Sequence, residues 1–271
     1  MTYRYLRIAI AATVVALVAG VAIESTRIGL LNSISAYYYT DARNIFVASL
    51  IACSLGMLVL SEPGPQRTLR AIGALFAPLV ALIPTTTSSG SVPGLEFVCP
   101  GGARLCVPEP FETEVTVGIG TYLIVAAAGW VTALVLRLRR PAADRTSGAT
   151  LVVAALVIAA VAAVDLLAHD WLVFWGHGLA ALAFFGVFAA LAVVNAVQRT
   201  PPVARAARIV YVLVALGMVG AVVAVLVIGI VSAETGESIP ILGAELTELG
   251  LFFTFWVLQT VDGAGRKAET A

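Results

Sequence analysis

Residues 150–164 read TLVVAALVIAAVAAV, and this stretch decides the class of fold. A helix on the surface of a soluble protein needs a polar face, and no face of a helix built from these residues carries a charge. A lipid bilayer removes that need, because lipid tails contact an apolar helix on all sides while its backbone hydrogen bonds stay internal. The stretch therefore predicts a membrane-spanning helix.

The chain as a whole has the same apolar character. Of its 271 residues, 60% are hydrophobic and 12% are charged, and the mean hydropathy is +1.00. Soluble domains carry about 45–50% apolar and about 25% charged residues. We therefore predict an all-α polytopic integral membrane bundle that forms a single transmembrane domain over residues 1–271 and has the lipid bilayer as its first partner.

Charge and residue usage narrow the class further. The formal net charge is zero and no long basic run appears, so the sequence lacks the electrostatic footprint of a nucleic-acid-binding protein. Arginine greatly outnumbers lysine, and Ala and Val dominate the apolar runs. This usage indicates a GC-rich bacterial genome. We predict a multi-pass protein of the bacterial plasma (inner) membrane that binds no nucleic acid.

Eight runs of the sequence are apolar and long enough, or nearly so, to cross a bilayer, for which a helix needs about 20 residues. The third run is the shortest, Pro78 can kink it, and Pro84 ends it. The first run has the charged start of a signal peptide, but we expect an uncleaved helix. The eight runs are 6–23, 42–60, 69–84, 116–136, 150–168, 172–197, 209–233 and 239–261.

The positions of the basic residues predict the orientation of these helices. If the N-terminus lies in the cytoplasm, thirteen of the sixteen Lys and Arg residues fall in cytoplasmic segments, and only Arg27, Arg43 and Arg104 lie outside. Cytoplasmic loops are enriched in Lys and Arg, and removing one span would invert every later loop. The pattern therefore predicts eight transmembrane helices with both termini in the cytoplasm.

Two of the three cysteines lie in the polar stretch 85–115, which this orientation places outside the cytoplasm. Cys99 and Cys106 are close in sequence, and an oxidising compartment favours a disulfide between them. A metal site is the alternative, but two thiols without a neighbouring His or second Cys pair fall short of four ligands. We predict a disulfide, and we interpret Cys53, in an apolar run, as a small core residue.

The richest group of polar residues, 32–46, reads NSISAYYYTDARNIF and lies at the outer start of the second run. If this stretch is helical, Tyr37, Asp41 and Asn44 share one face. One interpretation is an interfacial aromatic belt with an arginine whose head reaches the lipid headgroups. The other is a binding site, which explains better why these polar residues occur together: Ser33, Ser35, Asp41, Arg43 and Asn44.

Both histidines of the chain flank the turn between the fifth and sixth runs. Asp165 and His169 have i,i+4 spacing and share one helical face, and His177 follows early in the sixth run. Histidine serves both metal ligation and proton transfer. The sequence has no His-x-x-x-His or His-Glu-x-x-His element, so no metal is predicted. The alternative is an interfacial ion pair together with a hydrogen-bonded histidine inside the bundle.

Two carboxyl groups lie inside the last apolar run. Glu245 and Glu248 are spaced i,i+3 and lie on one side of a helix, and Glu248 lies roughly 12 Å below Pro240 at the rise of an α-helix. A carboxylate at that depth must be paired or protonated. Because Arg43 is expected at a comparable depth, we predict a contact of Arg43 with Glu248 or Glu245. The alternative is a structural ion pair that fixes the register of the helices.

The unusual polar residues of the spans gather at one depth. The stretch 32–46, the two histidines, the two glutamates and Thr85, at the end of the third run, all fall in the outer half. Deep in the inner half there is little beyond Asn195, Thr254 and Gln259. We therefore predict a polar cup that opens to the outer leaflet and no continuous polar pore.

The element that begins at Ser33 resembles known sequences. Residues 33–38, SISAYY, followed by 41–47, DARNIFV, are similar to an element of a family of bacterial multi-span membrane proteins of uncharacterised activity. A helix end similar to 83–85 and a late acidic span similar to 245–256 also occur in that family. More distantly, the element is similar to the damage-regulated autophagy modulator and Sfk-type membrane family, which has six spans. The resemblance implies a role in membrane lipid organisation and supplies no catalytic mechanism.

The leading hypothesis for the function is a non-enzymatic membrane protein without a cofactor. It binds or moves a lipid headgroup or small amphiphile at the outer leaflet, because Arg and Tyr side chains can hold a phosphate or carboxylate. The predicted ligand-binding residues are Ser35, Tyr37, Tyr38, Asp41, Arg43, His177, Glu245 and Glu248, with Asp165, His169 and Thr85 as secondary candidates.

Two other classes of function stay open. An intramembrane hydrolase or transferase with a His/Asp/Glu site is one, and in residue types alone the chain is loosely similar to the alkaline-ceramidase superfamily of intramembrane metal hydrolases. Such an enzyme needs a base within reach of its nucleophile, so separations above about 8 Å among Ser35, His177 and the acids would count against it. The other class is an accessory subunit of a membrane complex, or a homo-oligomer, which would bury an apolar face against its partner.

Overall fold

Residues 2–60, 65–139, 145–198, 204–235 and 239–268 are described by the computed structural model. That part of the chain forms eight α-helices, two short 3-10 helices and no strand beyond an isolated bridge. The predicted all-α class is therefore confirmed. The helices are α1 (Thr2–Ile28), α2 (Arg43–Val59), α3 (Pro65–Leu82), α4 (Glu109–Arg139), α5 (Arg145–Leu167), α6 (His169–Val197), α7 (Arg205–Thr235) and α8 (Leu242–Ala268).

Among the described helices, five are long and apolar enough to cross a membrane: α1, α4, α5, α6 and α7. α2 is apolar but has only 17 residues. α3 and α8 carry ionisable groups within their length, among them Arg70 in α3 and Glu248 in α8. The five apolar helices indicate a membrane protein, because a helix without a polar face is solvated by lipid and not by water.

Six of the helices pack in a closed ring in the order α1, α2, α3, α6, α7 and α8, and α8 returns to α1. The other two, α4 and α5, pack on each other and on α3 outside this ring. The third apolar run, the shortest in the sequence, therefore forms a helix that contacts four others. A closed ring leaves an interior that side chains or a ligand must fill, because protein interiors are close-packed.

Aromatic side chains fill the middle of the ring. Phe188 of α6 is fully buried, and its ring centroid lies 4.5 Å from that of Phe252 and 6.0 Å from that of Trp256 on α8. Edge-to-face and tilted arrangements of this kind suit the quadrupoles of the rings. We call this set the aromatic cluster, and it consists of Phe184, Phe188, Phe252, Phe255 and Trp256.

Two glycines let neighbouring helices of the ring approach closely. A Cβ added at Gly56 of α2 would lie 2.7 Å from Ile10 Cγ1 of α1, and one added at Gly217 of α7 would lie 2.7 Å from Leu251 Cδ1 of α8. Both separations are shorter than a carbon–carbon contact allows. Small residues at these positions therefore set the spacing of the helices, as is common where packing and not hydrophobicity holds helices together.

A polar network lies beyond the aromatic cluster, at the end of the ring where α1 begins. Gln259 donates to Asn195 Oδ1 at 2.7 Å, Gln66 donates to the same oxygen at 3.2 Å, and Arg7 donates to the Gln259 carbonyl at 2.5 Å. This end therefore holds more polar groups than the sequence indicated, whereas Thr254 is exposed and bonds only within its helix. Along α8 the aromatic cluster separates the network from Glu248.

The segment between α3 and α4 contains the predicted disulfide. Cys99 and Cys106 are bonded, with Cα atoms 5.7 Å apart. Thr87 and Cys106 form an isolated antiparallel bridge with backbone hydrogen bonds of 2.9 and 3.1 Å, which ties the loop to the end of α3. The disulfide is confirmed, and Cys53 is buried and free, as expected of a small core residue.

Candidate functional site

The backbone between α1 and α2 holds the start of α8 in place. The first N–H groups of an α-helix have no partner within the helix. Here the Asn32 carbonyl accepts from the N–H groups of Ile241 and Leu242 at 2.8 and 2.9 Å. The segment before the 3-10 helix Ser35–Tyr39 therefore caps α8 from outside.

The carboxylate of Glu245, in the first turn of α8, in turn binds the segment between α1 and α2. It accepts from the Ser33 hydroxyl at 2.8 Å, from the Ile34 N–H at 2.5 Å and from the Ser35 hydroxyl at 3.0 Å. Three donors suit a carboxylate, which has about four lone-pair sites. The serines of the SISAYY element are thus explained by Glu245, and the two segments fix each other.

His177 joins a third element to the same group. One ring nitrogen, Nδ1, lies 2.7 Å from the Ile83 carbonyl, and the other, Nε2, lies 2.8 Å from Ser35 Oγ. A carbonyl only accepts, so Nδ1 carries a proton. Ile83 is the residue before Pro84, where α3 has just ended, and a terminal carbonyl of this kind needs an outside donor. His177 is buried.

Ser35 therefore connects Glu245 to His177, and the three groups share protons in one of two ways. In the first, Glu245 is protonated and donates to Ser35 Oγ, which donates to a neutral His177. In the second, an imidazolium donates to Ser35, which donates to the Glu245 carboxylate. Both arrangements satisfy every atom, because a hydroxyl has one proton and two acceptor sites. A proton can pass between Glu245 and His177 through Ser35 without movement of heavy atoms.

These groups line one end of a cavity inside the ring. The cavity has a volume of about 380 Å³, within the range of about 300–1,000 Å³ for ligand pockets. Its floor is formed by two rings of the aromatic cluster, Phe184 and Phe252. The most exposed lining residues are Trp175, Leu179 and Leu226, so the mouth lies between α6 and α7. The polar lining residues are Thr13, Ser35, Ser49, Thr85, His177, Glu245 and Glu248.

Glu248 differs from Glu245 in its surroundings. It lines the cavity and is only 5% exposed, yet it forms no hydrogen bond or ion pair with any residue of the described ranges. Ser49 also lines the cavity and is buried. Nothing in the sequence singles out Ser49, because a lone serine in an apolar helix usually bonds to its own backbone.

The predicted contact of Arg43 with Glu245 or Glu248 is wrong. Arg43 forms an ion pair with Glu114 of α4, donates to the Tyr38 hydroxyl at 2.9 Å, and stacks over the Tyr38 ring at 4.4 Å. Phe111 lies beneath the same guanidinium at 5.5 Å. Because α2 begins at Arg43, this side chain lies at the edge of the helix next to α4 and not one or two turns within it, next to α8.

We call the residues around this guanidinium the Arg43 cluster, and it consists of Tyr38, Arg43, Phe111 and Glu114. Tyr39 lies beside the Arg43 cluster and joins it to the end of α3. Its hydroxyl donates to the Thr85 carbonyl at 2.6 Å. Burial, and the neighbouring Tyr38, raise the pKa of the Tyr39 phenol. The hydroxyl therefore keeps its proton and its role as a donor at any ordinary pH. A tie of this kind holds Thr85 next to the cavity without placing a charge there.

Tyr37 and Asp41 do not reach the cavity. The Tyr37 hydroxyl contacts Ser25 Oγ at 2.5 Å and accepts from the Leu31 N–H at 3.2 Å, so it fixes the end of α1. Asp41 is exposed and pairs with Arg27 at 2.8 Å. The predicted face shared by Tyr37, Asp41 and Asn44 is absent, because the chain leaves the 3-10 helix after Tyr39 and α2 begins only at Arg43.

Asp165 and His169 form a pair of their own. His169 Nδ1 lies 2.8 Å from Asp165 Oδ1, and its Nε2 lies 3.3 Å from Thr116 Oγ1 of α4. His177 follows His169 by two turns of α6, a rise of roughly 12 Å, and the two imidazoles have no partner in common. Within the described ranges, no group of three His, Cys, Asp or Glu residues could hold a metal ion.

The sequence-predicted residues thus divide into separate groups. Five of them line the cavity, two belong to the Arg43 cluster, and the rest make local ties. No protein family, curated protein or solved structure matches the chain. The five residues that the fold brings together are Ser35, Thr85, His177, Glu245 and Glu248.

Proposed function

We propose that all eight helices cross the plasma membrane of a bacterium, with both termini in the cytoplasm. The distribution of Lys and Arg supports this topology, since cytoplasmic segments are enriched in both. The disulfide between Cys99 and Cys106 supports it too, because it lies in a segment that this topology exposes to an oxidising compartment. Under this topology the cavity lies in the outer half of the membrane.

The function we propose is the binding of a small amphiphile in this cavity, and its movement if the aromatic cluster parts. The single observation that carries the proposal is the cavity itself, which has Ser35, His177 and Glu245 at one end and a mainly apolar and aromatic lining elsewhere. A membrane-exposed mouth between α6 and α7 admits a molecule that is already dissolved in the lipid. A polar head would lie at the end near Ser35, and an apolar tail would lie toward Phe252.

The volume of the cavity limits the size of the ligand. A volume of about 380 Å³ lies near the small end of the range of about 300–1,000 Å³ for ligand pockets. A single alkyl chain with a compact head fits this volume, whereas a diacyl phospholipid would leave most of its body outside. Single-chain decyl amphiphiles are therefore suitable probes.

A tryptophan at Gly178 is expected to block binding. Gly178 lines the cavity at its exposed side, and a Cβ added there meets nothing within 4 Å, so the helix tolerates the new side chain, which then occupies the mouth. We expect Gly178→Trp to weaken the binding of decyl amphiphiles about 10-fold or more, which corresponds to about 1.4 kcal/mol. Calorimetric titration in nanodiscs of zwitterionic lipid, with decyltrimethylammonium, decanol and decanoate in turn, measures this.

Gly186 provides the matched control on the same helix. It is exposed, an added Cβ there also meets nothing within 4 Å, and it does not line the cavity. Gly186→Trp should bind the probes as the wild type does. If none of the three probes binds to the wild type, or if both tryptophan variants bind equally well, the cavity is not a binding site and the proposed function is wrong.

A second candidate function is an ester or amide hydrolase with Ser35 as its nucleophile. One observation favours it: Ser35 Oγ lies 2.8 Å from His177 Nε2, and the Ile83 carbonyl orients the other ring nitrogen. A nucleophile, a base and an orienting group are the parts of such a site. The separations among Ser35, His177 and Glu245 also stay below the limit of about 8 Å stated above for such an enzyme.

Amphiphile binding is preferred because two of the N–H groups next to the Ser35 hydroxyl are already engaged and offer no donor to an oxyanion. The Ile34 N–H is bonded to Glu245 and the Ser35 N–H to Ser33 Oγ at 3.0 Å, and donors aimed at the developing charge supply a large part of catalysis in acyl transfer. A fluorophosphonate distinguishes the two functions. Labelling of the wild type that is lost in Ser35→Ala would favour the hydrolase, and an unlabelled wild type would favour binding.

A further inference from the structure

The cavity lining contains two carboxyl groups and, among the described residues, no lysine or arginine. The ionisable lining residues are Cys53, His177, Glu245 and Glu248. In the described ranges, three arginines lie at this end of the bundle. Arg43 pairs with Glu114, and Arg27 pairs with Glu24 and Asp41. The third, Arg104, does not line the cavity. An anionic headgroup would therefore find no Lys or Arg in the cavity, and both ring nitrogens of His177 are already hydrogen-bonded to Ile83 and Ser35.

The two glutamates differ in the number of hydrogen-bond partners that the fold provides. Glu245 accepts three hydrogen bonds from the SISAYY element, so its charge is compensated by the fold. Glu248 lies one turn deeper in α8 and is only 5% exposed. It has no hydrogen-bond or ion-pair partner in the described part of the chain. A carboxylate without a partner in apolar surroundings is costly. Protonation removes that cost, and so does a bound cation.

The rest of the cavity wall suits an organic cation. Aromatic rings attract ammonium groups through the negative faces of their π systems, and rings reach the cavity from three helices. The apolar floor excludes a hydrated inorganic ion, which needs oxygen ligands on several sides. The aromatic lining residues are Phe46, Trp175, Phe184, Phe185 and Phe252.

We propose that the amphiphile of this cavity is an organic cation, an alkylammonium. Its head pairs with Glu248 beside Glu245, near the ring of Phe252 one turn along α8, and its tail lies among the other apolar and aromatic side chains. This inference rests on the proposed function and adds the class of the ligand. It differs from the expectation from sequence, in which Arg43 holds a phosphate or carboxylate, because the fold places Arg43 at Glu114 and outside the cavity.

The test compares three probes with the same chain and different heads. Decyltrimethylammonium keeps its charge at every pH, decanol is neutral and decanoate is anionic, and each is titrated calorimetrically into the full-length protein in nanodiscs of zwitterionic lipid. We expect the ammonium to bind at least about 30-fold more tightly than decanoate, in line with the energies of desolvated charge pairs. We expect Glu248→Gln to abolish this preference by weakening ammonium binding about 30-fold and to leave decanol binding unchanged.

Two further variants separate the charge of Glu248 from its role in folding. Glu112→Gln removes one negative charge from an exposed position in the first turn of α4 and should leave all three affinities unchanged. Glu248→Asp keeps the charge and should keep the preference for the ammonium. If the probes bind to the wild type without preference for the cation, or if Glu248→Gln keeps the preference, the cation inference is wrong while the proposed function stands. Binding of none of the probes would overturn both.

Discussion

Replacing Glu245 with alanine is expected to lower the free energy of unfolding by about 3 kcal/mol or more. Hydrogen bonds to a charged group contribute about 1.5–3 kcal/mol, and a buried donor left without a partner costs about 1–3 kcal/mol. The alanine removes the acceptor of three donors at once, on Ser33, Ile34 and Ser35. The Ile34 N–H belongs to the backbone and cannot rotate toward another acceptor. Most of the lost stability therefore comes from this group.

Unfolding of the purified protein by SDS in mixed micelles measures this change. Glu245→Gln should be intermediate, because its carbonyl oxygen can still accept from the serine hydroxyls while its NH₂ group repels a backbone N–H. Glu112→Ala, which removes an exposed carboxylate near the start of α4, serves as the control and should change stability by less than about 0.5 kcal/mol. A Glu245→Ala protein as stable as this control would show that the SISAYY element does not hold α8.

Replacing Phe188 with alanine is expected to cost about 3–4 kcal/mol of stability, within the range for large-to-small changes of buried aromatic residues. Phe188 has no exposed surface, and its ring contacts those of Phe184, Phe252 and Phe255. In a membrane, transfer from protein to lipid gains little for an apolar ring, so the loss comes from packing contacts that no neighbour can restore.

Phe253 of α8 offers the control for this change. It lies next to Phe252 in the sequence but is 36% exposed and faces outward from the aromatic cluster. Phe253→Ala should cost less than about 1 kcal/mol, because lipid replaces the lost contacts of an outward-facing ring. SDS unfolding of the two variants under the same conditions measures the difference. Equal losses would mean that the cluster is not a packed core of the ring.

The aromatic cluster also bears on whether the protein moves its ligand. It separates the cavity from the polar network of Arg7, Asn195 and Gln259, which lies two turns further along α8. The lining of the cavity includes Phe184 and Phe252 of the cluster and no residue of that network. Movement of an amphiphile across the membrane therefore requires that Phe188 and its neighbours separate, and binding alone does not.

The class of fold and the approximate positions of all eight helices could be predicted from composition and charge alone. Membrane insertion depends on the composition of contiguous residues, and the bounds of a run such as 150–164 can be read without knowledge of any partner. The disulfide was predictable for a similar reason, since Cys99 and Cys106 are separated by seven positions and are close in almost any conformation. Glu245 and Glu248 stood out because carboxyl groups in apolar runs are rare.

Which of these residues contact each other depends on how the helices pack, and this could not be predicted. In a soluble helix the apolar face shows which side is buried, but here the sides that face lipid and the sides that face the ring are both apolar. The sequence of α1, α4 or α5 therefore carries little information about rotation, and the order of helices around the ring cannot be read from it. Arg43 consequently pairs with Glu114 and not with Glu248, and Ser35, His177 and Glu245 come together from three separate elements. The cavity and the unpaired Glu248 are products of that arrangement.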